Sequence, residues 1–504
     1  MDSEPPKTEK SLAEDATQIA GGSAIVMAGG LVDRAVRMLT TWFLSGALGP
    51  AAFGLYAFAT TVVAILGWIA PLGMDAGVAM YSARYRKTKE LGKLKGILIA
   101  TLGSVAVTGP LFAMGTWLCV AQGWVLSQSP EEANAILSIS AGIALAAMLF
   151  VACFTLVSQK DMAGQAWAQQ ITLPTATLVG AGLAIVLDYG VEGVLTAFVV
   201  AHALALMVAV RRIWRSDGPL LLDKGVRAVF EWGDLLRYTI PQSFARVLYR
   251  ATLWVDILML TALATLTDVG VYRVSVALAM VGALPVVAST TMFGPVIAEL
   301  IYTQQVQRLN ALLKLVTRWL VIVATPLYFT VLLLPDFVLS IFDTAYQSGA
   351  QALCILMLGQ AVYVLAAPTG AILTNAGHSM LNLINGLVAV TINIALNAWL
   401  IPDHGIEGAA VASSTALVVW SILRLMEVAH LHRCSPISSG LLVPLGIALV
   451  AGVASHFILM DAPLWLRIAA VVAQLALGLG LFWKWGRSEE DELILNRIRD
   501  RLKR

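Results

Sequence analysis

Four arginines stand inside stretches apolar enough to be buried in lipid. Arg34 and Arg37 lie in the segment 22–47, Arg246 and Arg250 in the segment 235–262. On helices, residues three or four apart share one face, so each pair points the same way. A guanidinium keeps its charge at physiological pH, and its planar fork matches the oxygens of phosphate or carboxylate. At bilayer depth such a group is costly unless it meets water, an acid or a ligand. The pattern therefore points to a wet path that handles an anion. Arg273, near the outer end of a later segment, is a further substrate-binding candidate on the exit side. Two acids keep these arginines company. Asp33 sits four residues before Arg37 and can neutralise it, and it is also a candidate ion-coupling residue; Asp256 reads either as an ion-coupling carboxylate or as a fixed salt bridge to Arg250 or Arg273. Asn393 and Asn397, also four apart, read as helix-to-helix hydrogen-bonding residues.

The elements that would hold these residues are membrane helices. The chain has 504 residues, 59% hydrophobic and 13% charged, far more apolar than soluble domains. Fourteen hydrophobic stretches recur along it, among them 53–82, 165–187, 269–298, 312–335, 381–401 and 406–430. Each is about the 20 residues needed to cross a bilayer as a helix. The loops between them alternate in charge. Arg84, Arg86, Lys87, Lys89, Lys93 and Lys95 share one set of loops with Lys160, Arg211, Arg212, Arg215, Lys224 and Arg227. The opposite set carries acids such as Glu131, Asp188, Asp268 and Asp403. By the positive-inside rule both termini are cytoplasmic, which predicts an all-α, multi-pass protein of the cytoplasmic membrane with about 14 spans.

The chain also repeats itself. Arg34 with Gly54-Leu55-Tyr56 recurs as Arg250 with Gly270-Val271-Tyr272, about 216 residues on. Asp188-Tyr-Gly-Val-Glu-Gly193 recurs as Asp403-His-Gly-Ile-Glu-Gly408. Six crossings separate the copies, so they share one orientation, the parallel kind of repeat. The expected organisation is a cytoplasmic segment 1–21, a six-helix lobe 22–212, a cytoplasmic linker 213–233 and a second lobe 234–431. Two further helices follow in 432–486, then an amphipathic tail 487–504. Two like lobes would enclose a central cavity lined by the arginines. Ser11-Leu-Ala-Glu14 has the form of a capping box opening the first helix, and Arg318, Arg424 and Arg467 read as interfacial anchors near helix ends.

Several classes are excluded. A net charge of +2 gives no field for nucleic acid. The four cysteines, Cys119, Cys153, Cys354 and Cys434, have no metal spacing, so no metal site is expected. No P-loop, Asp-x-Asp pair or nucleophile motif is present, and the outer loops are short, so no catalytic residues are assigned.

Longer motifs add a resemblance. Gly49-Pro50-Ala-Ala-Phe53-Gly54-Leu-Tyr56 is similar to a segment between the first two helices of bacterial polysaccharide flippases, the Wzx-like members of the MOP exporter superfamily. Pro241, Asp256, Gly270 and Tyr272 fit the same family's spacing. So does Ile341-Phe342 with Tyr346, although Asp343 stands where glycine is usual. Leu396-Asn397-Ala-Trp-Leu400-Ile401-Pro402-Asp-His-Gly405-Ile406-Glu-Gly408 is the best match. The resemblance spans roughly residues 15–430. It implies a flippase that carries an undecaprenyl-pyrophosphate-linked oligosaccharide to the outer leaflet by alternating access, coupled to H+ or Na+, with no other cofactor. It also implies work alongside the polymerase and glycosyltransferases of the same pathway. The neighbouring readings are a peptidoglycan lipid-linked precursor flippase and a multidrug/cation antiporter.

Overall fold

The computed structural model describes residues 7–123, 130–437, 439–459 and 462–481. The side chains of some helical stretches, 244–253 among them, lie outside that description, as does the tail 487–504. Every regular element among the described residues is helical. In chain order these are α1 (Lys7–Ile69), α2 (Met74–Thr88), α3 (Leu91–Ala121), α4 (Pro130–Ser158), α5 (Met162–Gln165), α6 (Leu173–Val186), α7 (Gly190–Leu222) and α8 (Trp232–Leu263). Then come α9 (Leu266–Val281), α10 (Leu284–Tyr302), α11 (Val306–Leu333), α12 (Pro335–Ser340), α13 (Ala350–Asn375), α14 (Ser379–His432), α15 (Ser439–Ile458) and α16 (Leu464–Leu481).

Eight helical stretches of the described residues are long and apolar enough to cross a membrane. Two of them are twice the needed length. Ile25–Ile69 is broken at Gly49, whose φ of 73° suits glycine, and Pro50 opens the next helix at a position where its missing N–H costs nothing. At the matching place in the second copy, Thr265 and Asp268 form a reciprocal capping box that starts α9. Met380–His432 is broken at Gly405 (φ 50°). Asn393 Nδ2 reaches Ser413 Oγ at 3.4 Å, and Asn385 Nδ2 reaches Glu427 Oε2 at 2.7 Å. Along a straight helix, partners 20 or more residues apart would be separated by about 30 Å or more, so α14 is a hairpin of two antiparallel helices. Gly190, one repeat earlier, also has positive φ.

Two stretches expected as single spans are interrupted. Within 53–82 the helix ends at Ile69 and restarts at Met74 after Leu72 and Gly73, both at positive φ. Within 269–298 it breaks between α9 and α10. Pro71 and Pro285 stand at these breaks, where a residue without an N–H interrupts the helical ladder. Ser11 does not open a helix: α1 is already helical from Lys7. Between α5 and α6 the turn widens to a π-helix over Ala166–Thr172.

The chain divides into two compact units, Met1–Trp254 and Val255–Arg504, with α8 straddling the boundary. In the first unit α4 packs on α1, α3 and α7. Ala201, Ala205 and Ala209, one turn apart along α7, are all but fully buried against Leu149, Ala152 and Leu156 of α4. Small residues let membrane helices approach closely and gain dispersion contact. In the second unit α13 packs on α14, α11 and α9. Large apolar side chains such as Val186, Trp399 and Leu183 are more than half exposed, the surface of a body that meets lipid rather than water.

The expected linker 213–233 is helical as far as Leu222, and the rest is strapped to the first unit. Val229 N donates to Gly92 O at 2.9 Å, and Lys95 Nζ donates to Asp223 O at 2.6 Å. Glu231 accepts from the Tyr85 hydroxyl and pairs with Lys93 at 2.9 Å. The Tyr85 hydrogen bond, then the Lys93 ammonium, holds the Glu231 carboxyl below its ordinary range. Burial, then the bond to Glu231, pushes the Tyr85 phenol up to about 12. Because Glu231 is depressed in the folded state, its contribution is present above the usual 4.5 and fades as pH falls through the lowered value.

The strap lies so close to α3 that a Cβ on Gly96 would stand 1.9 Å from Val229 O. Gly96→Ala is expected to cost about 1–3 kcal/mol, as overpacked sites do, and to expose Lys224 and Arg227 to trypsin. Gly103→Ala, with open space around it, should do neither. Equal melting temperatures and equal cleavage rates for the two variants would refute the strap.

Candidate functional site

Asp256, on α8, is 6% exposed, and a carboxylate taken out of water needs donors or a cation. It has four donors. Asn393 Nδ2 and Asn397 Nδ2 donate to Oδ1 at 2.9 and 2.8 Å, and Tyr272 Oη donates to Oδ2 at 3.0 Å. Ser413 Oγ donates to the same oxygen. Asn397 also donates to Asn393 Oδ1 at 3.1 Å, and the Tyr272 hydroxyl lies 3.5 Å from Ala409 O. The cluster draws on α8, α9 and both arms of the α14 hairpin. Asn393 and Asn397 are one turn apart on the first arm, Ala409 and Ser413 one turn apart on the second, and the reversal at Gly405 brings them face to face.

Among the described residues, the four groups that donate to Asp256 are neutral, and all carry oxygen. Asn397 Oδ1 is buried with no hydrogen-bond partner. Turning an amide about its last bond exchanges its nitrogen for its oxygen. With both amides turned, the site would present carboxylate, amide and hydroxyl oxygens together, the donor set that hard cations take. As drawn, the amides donate, which suits a charged carboxylate standing alone.

The described partners of Asp256 are thus neutral, while the side chain of Arg250, one arginine the sequence offered, lies outside the described residues. The asparagines do join helices, as expected, and they also hold the acid. The sequence reading missed Ser413 and the Ala409 carbonyl, and it took Tyr272 only as part of a motif. The one-turn spacing of Asn393 and Asn397 was the available signal.

The arginine candidates have different surroundings. Arg34 is exposed on α1. Arg37 is exposed too, its Nε 2.7 Å from Asp33 Oδ1, so Asp33 is committed to an ion pair one turn away. Arg246 and Arg250 lie on the helical backbone of α8, but their side chains are outside the described residues. Arg273 is half-buried on α9 and held by contacts within the fold. Arg318 is not near a helix end: α11 begins at Val306, earlier than the sequence implied, which leaves Arg318 buried at mid-helix. Arg424 stacks over Trp420 at 4.1 Å and donates to Asn382 at 3.1 Å, tying the two arms of α14. Arg467 anchors a helix end as expected, donating to Leu333 O at 2.9 Å. His202 is buried against Phe198, ring to ring at 4.4 Å, in a packing role. All four cysteines are free.

The family profile described as "Polysaccharide biosynthesis protein" matches residues 19–301, more than half of the chain. The chain belongs to this family. No curated protein matches it in sequence. Among solved structures, the lipid II flippase MurJ in an inward closed conformation superposes with a TM-score of 0.70 at 12% identity, covering 94% of this chain and 100% of that one. An inward-facing MATE-family multidrug resistance transporter of the MOP superfamily gives 0.68 at 13%, covering 82% and 98%. A MOP superfamily transporter from Pyrococcus furiosus, described as having a binding pocket of reverse polarity, gives 0.58 at 14%, covering 82% and 95%. The fold is that of MATE and MurJ. The protein is a multi-pass membrane protein of the polysaccharide biosynthesis family, and it shares its fold with a MATE transporter and the MurJ flippase.

The Asp256 cluster makes its own prediction. Tyr272→Phe removes one of four donors to a buried charge, a loss of about 1.5–3 kcal/mol. Ser275→Ala is the control, since that hydroxyl only returns to Val271 O of its own helix at 3.1 Å. The melting temperature of the purified protein should fall clearly more for Tyr272→Phe; equal shifts would break the link between Tyr272 and Asp256.

Proposed function

We propose that this chain moves an undecaprenyl-pyrophosphate-linked oligosaccharide from the inner to the outer leaflet of the cytoplasmic membrane. The observation that carries the reading is Arg34, exposed on an apolar helix of a polysaccharide biosynthesis protein. It lies twelve residues into the apolar stretch 22–47, so about 18 Å along a helix that must cross a hydrocarbon layer about 30 Å thick. An exposed guanidinium at that depth faces either lipid or a wet path, and only the second is tolerable. A pyrophosphate, with its two negative charges and many oxygens, is the part of such a substrate that a guanidinium fork fits. Arg250 holds the equivalent place in the second copy; Arg37, Arg246 and Arg273 extend the path. Fourteen crossings with both ends cytoplasmic belong to this reading, with α1 and α14 each broken at a glycine and so able to supply two spans.

Asp256 is the coupling residue in this reading. H+ or Na+ takes the place of the donated hydrogen bonds, the amides turn their oxygens inward, and the second unit changes its packing around α14. At the repeat offset Thr40 stands where Asp256 does, and its hydroxyl returns to Val36 O at 2.8 Å. Coupling is thus confined to the second unit, while Arg34 and Arg250 are shared.

Arg34→Ala and Arg250→Ala are each expected to abolish surface polysaccharide in cells while leaving the protein in the membrane at normal amounts. Normal polysaccharide in both would end the proposal. For coupling, Na+ at 100 times its Kd should stabilise the purified protein by about 2.7 kcal/mol, and Asp256→Asn should lose the effect. A proton-coupled protein would show no Na+ stabilisation, but its flipping in vesicles would stop when the pH gradient is collapsed. Transport indifferent to both gradients would remove Asp256 from the coupling role. Cysteines at Asp188 and Asp403 should react with an impermeant reagent from the periplasm, and one at Lys93 should not.

A further inference from the structure

One face of α7 is buried through its alanine stripe; the other opens on a groove of about 660 Å³ against Leu145 of α4. Met207, Val210 and Trp214 form its apolar wall, and Arg211 and Arg215 close one end. Met207, Arg211 and Arg215 follow at one-turn intervals, so the two guanidinium groups lie in line with the apolar stripe.

The charges in this region are sorted. Arg212 is neutralised by Asp161, its NH1 3.2 Å from each carboxylate oxygen, and Arg86 by Asp217. Arg211 and Arg215 are both exposed, and no acid among the described residues pairs with either. Two unneutralised cations thus stand at the mouth of a slot whose walls are hydrocarbon. The slot's length matters as well. From Ala203 to Arg211 the helix rises about 12 Å, close to the roughly 15 Å depth of one leaflet's hydrocarbon. Trp214 sits beside the arginines, at the depth where indoles settle between headgroup and tail.

From these observations we infer a binding site for one anionic phospholipid, its phosphate held by Arg211 and Arg215 and one acyl chain lying along Met207 and Val210. A zwitterionic lipid would bring its own cation to the two arginines; an anionic headgroup brings none. The groove lies on the face of α7 opposite its buried alanine stripe, so an occupant there would bridge α4 and α7. Only the assignment to the cytoplasmic leaflet rests on the proposed function; occupancy itself is independent of transport.

The test is lipid retention by the purified full-length protein, read by native mass spectrometry after exposure to equal amounts of phosphatidylglycerol and phosphatidylcholine. One phosphatidylglycerol should be retained about tenfold more often than phosphatidylcholine, a difference of about 1.4 kcal/mol. Arg211→Gln with Arg215→Gln should erase the preference. Met207→Trp, which fills the groove and keeps both charges, should reduce retention of both lipids. Equal retention of the two lipids by the wild type, or a preference that survives in the double variant, would overturn the site. Undecaprenyl diphosphate displacing phosphatidylglycerol at equal concentration would overturn it as well, because the occupant would then be the transported class of lipid. Loss of flipping in Arg34→Ala with retention unchanged would leave the two proposals cleanly separated.

Discussion

A carboxylate removed from water must be met by donors, and Asp256 sets the geometry of the second unit through that requirement. Its partners lie up to 157 residues away in sequence, on α9 and on both arms of α14. A continuous α14 could bring Asn397 or Ser413 to the acid, not both. The reversal at Gly405, with its positive φ, is therefore part of the same construction as the carboxylate. Gly408 follows because the returning arm passes close to Leu400, whose carbonyl oxygen would be 2.5 Å from a Cβ there. The Gly-x-Glu-Gly turn belongs to the packing of the hairpin, and the hairpin serves the acid.

Duplication explains why the two units share so much backbone and so little of this chemistry. Lys89 and Gln304, Lys160 and Gly377, and Gly190 and Gly405 fall at nearly the same offset, and all have positive φ. The breaks after Ile69 and after Val281 are likewise paired. Tyr56 matches Tyr272, yet Tyr56 packs edge-on against Phe198 while Tyr272 donates to a carboxylate. The aromatic position is common to both copies, and in the second its hydroxyl serves the carboxylate. Shared arginines and an unshared acid fit the proposed function, in which both halves hold an anion and one senses a cation.

The large-scale architecture was legible in the sequence because hydrophobic length is a local property. The described residues of each apolar stretch fall in helix, apart from end residues and the short breaks noted above. The interruptions inside 53–82 and 269–298 were harder: Pro71 and Pro285 were visible, but hydropathy does not fall at either. Arg318 was misplaced by the same limitation, since the polar first turns of α11 hide its true start. Asp256 was recognisable as a buried acid that must have partners. Which partners was not, because a lone serine at 413 and a tyrosine at 272 carry no mark of the carboxylate they meet. Only the one-turn spacing of Asn393 and Asn397 gave a hint, and helix-to-helix bonding explained it equally well.

The two kinds of charge also differ in their surroundings, and that difference has a mechanical consequence. Arg34 is exposed and always charged, so it can release a phosphate as readily as it binds one, with water taking over the lost hydrogen bonds. Asp256 is sealed, so any change in its charge must be answered by its neighbours. Those neighbours are single side chains on separate helices, and each can answer only by turning or by moving its helix. A wet arginine leaves the fold unchanged when its ligand departs; a dry carboxylate does not. In the proposed function the conformational change therefore originates at Asp256, with the arginines deciding what is carried.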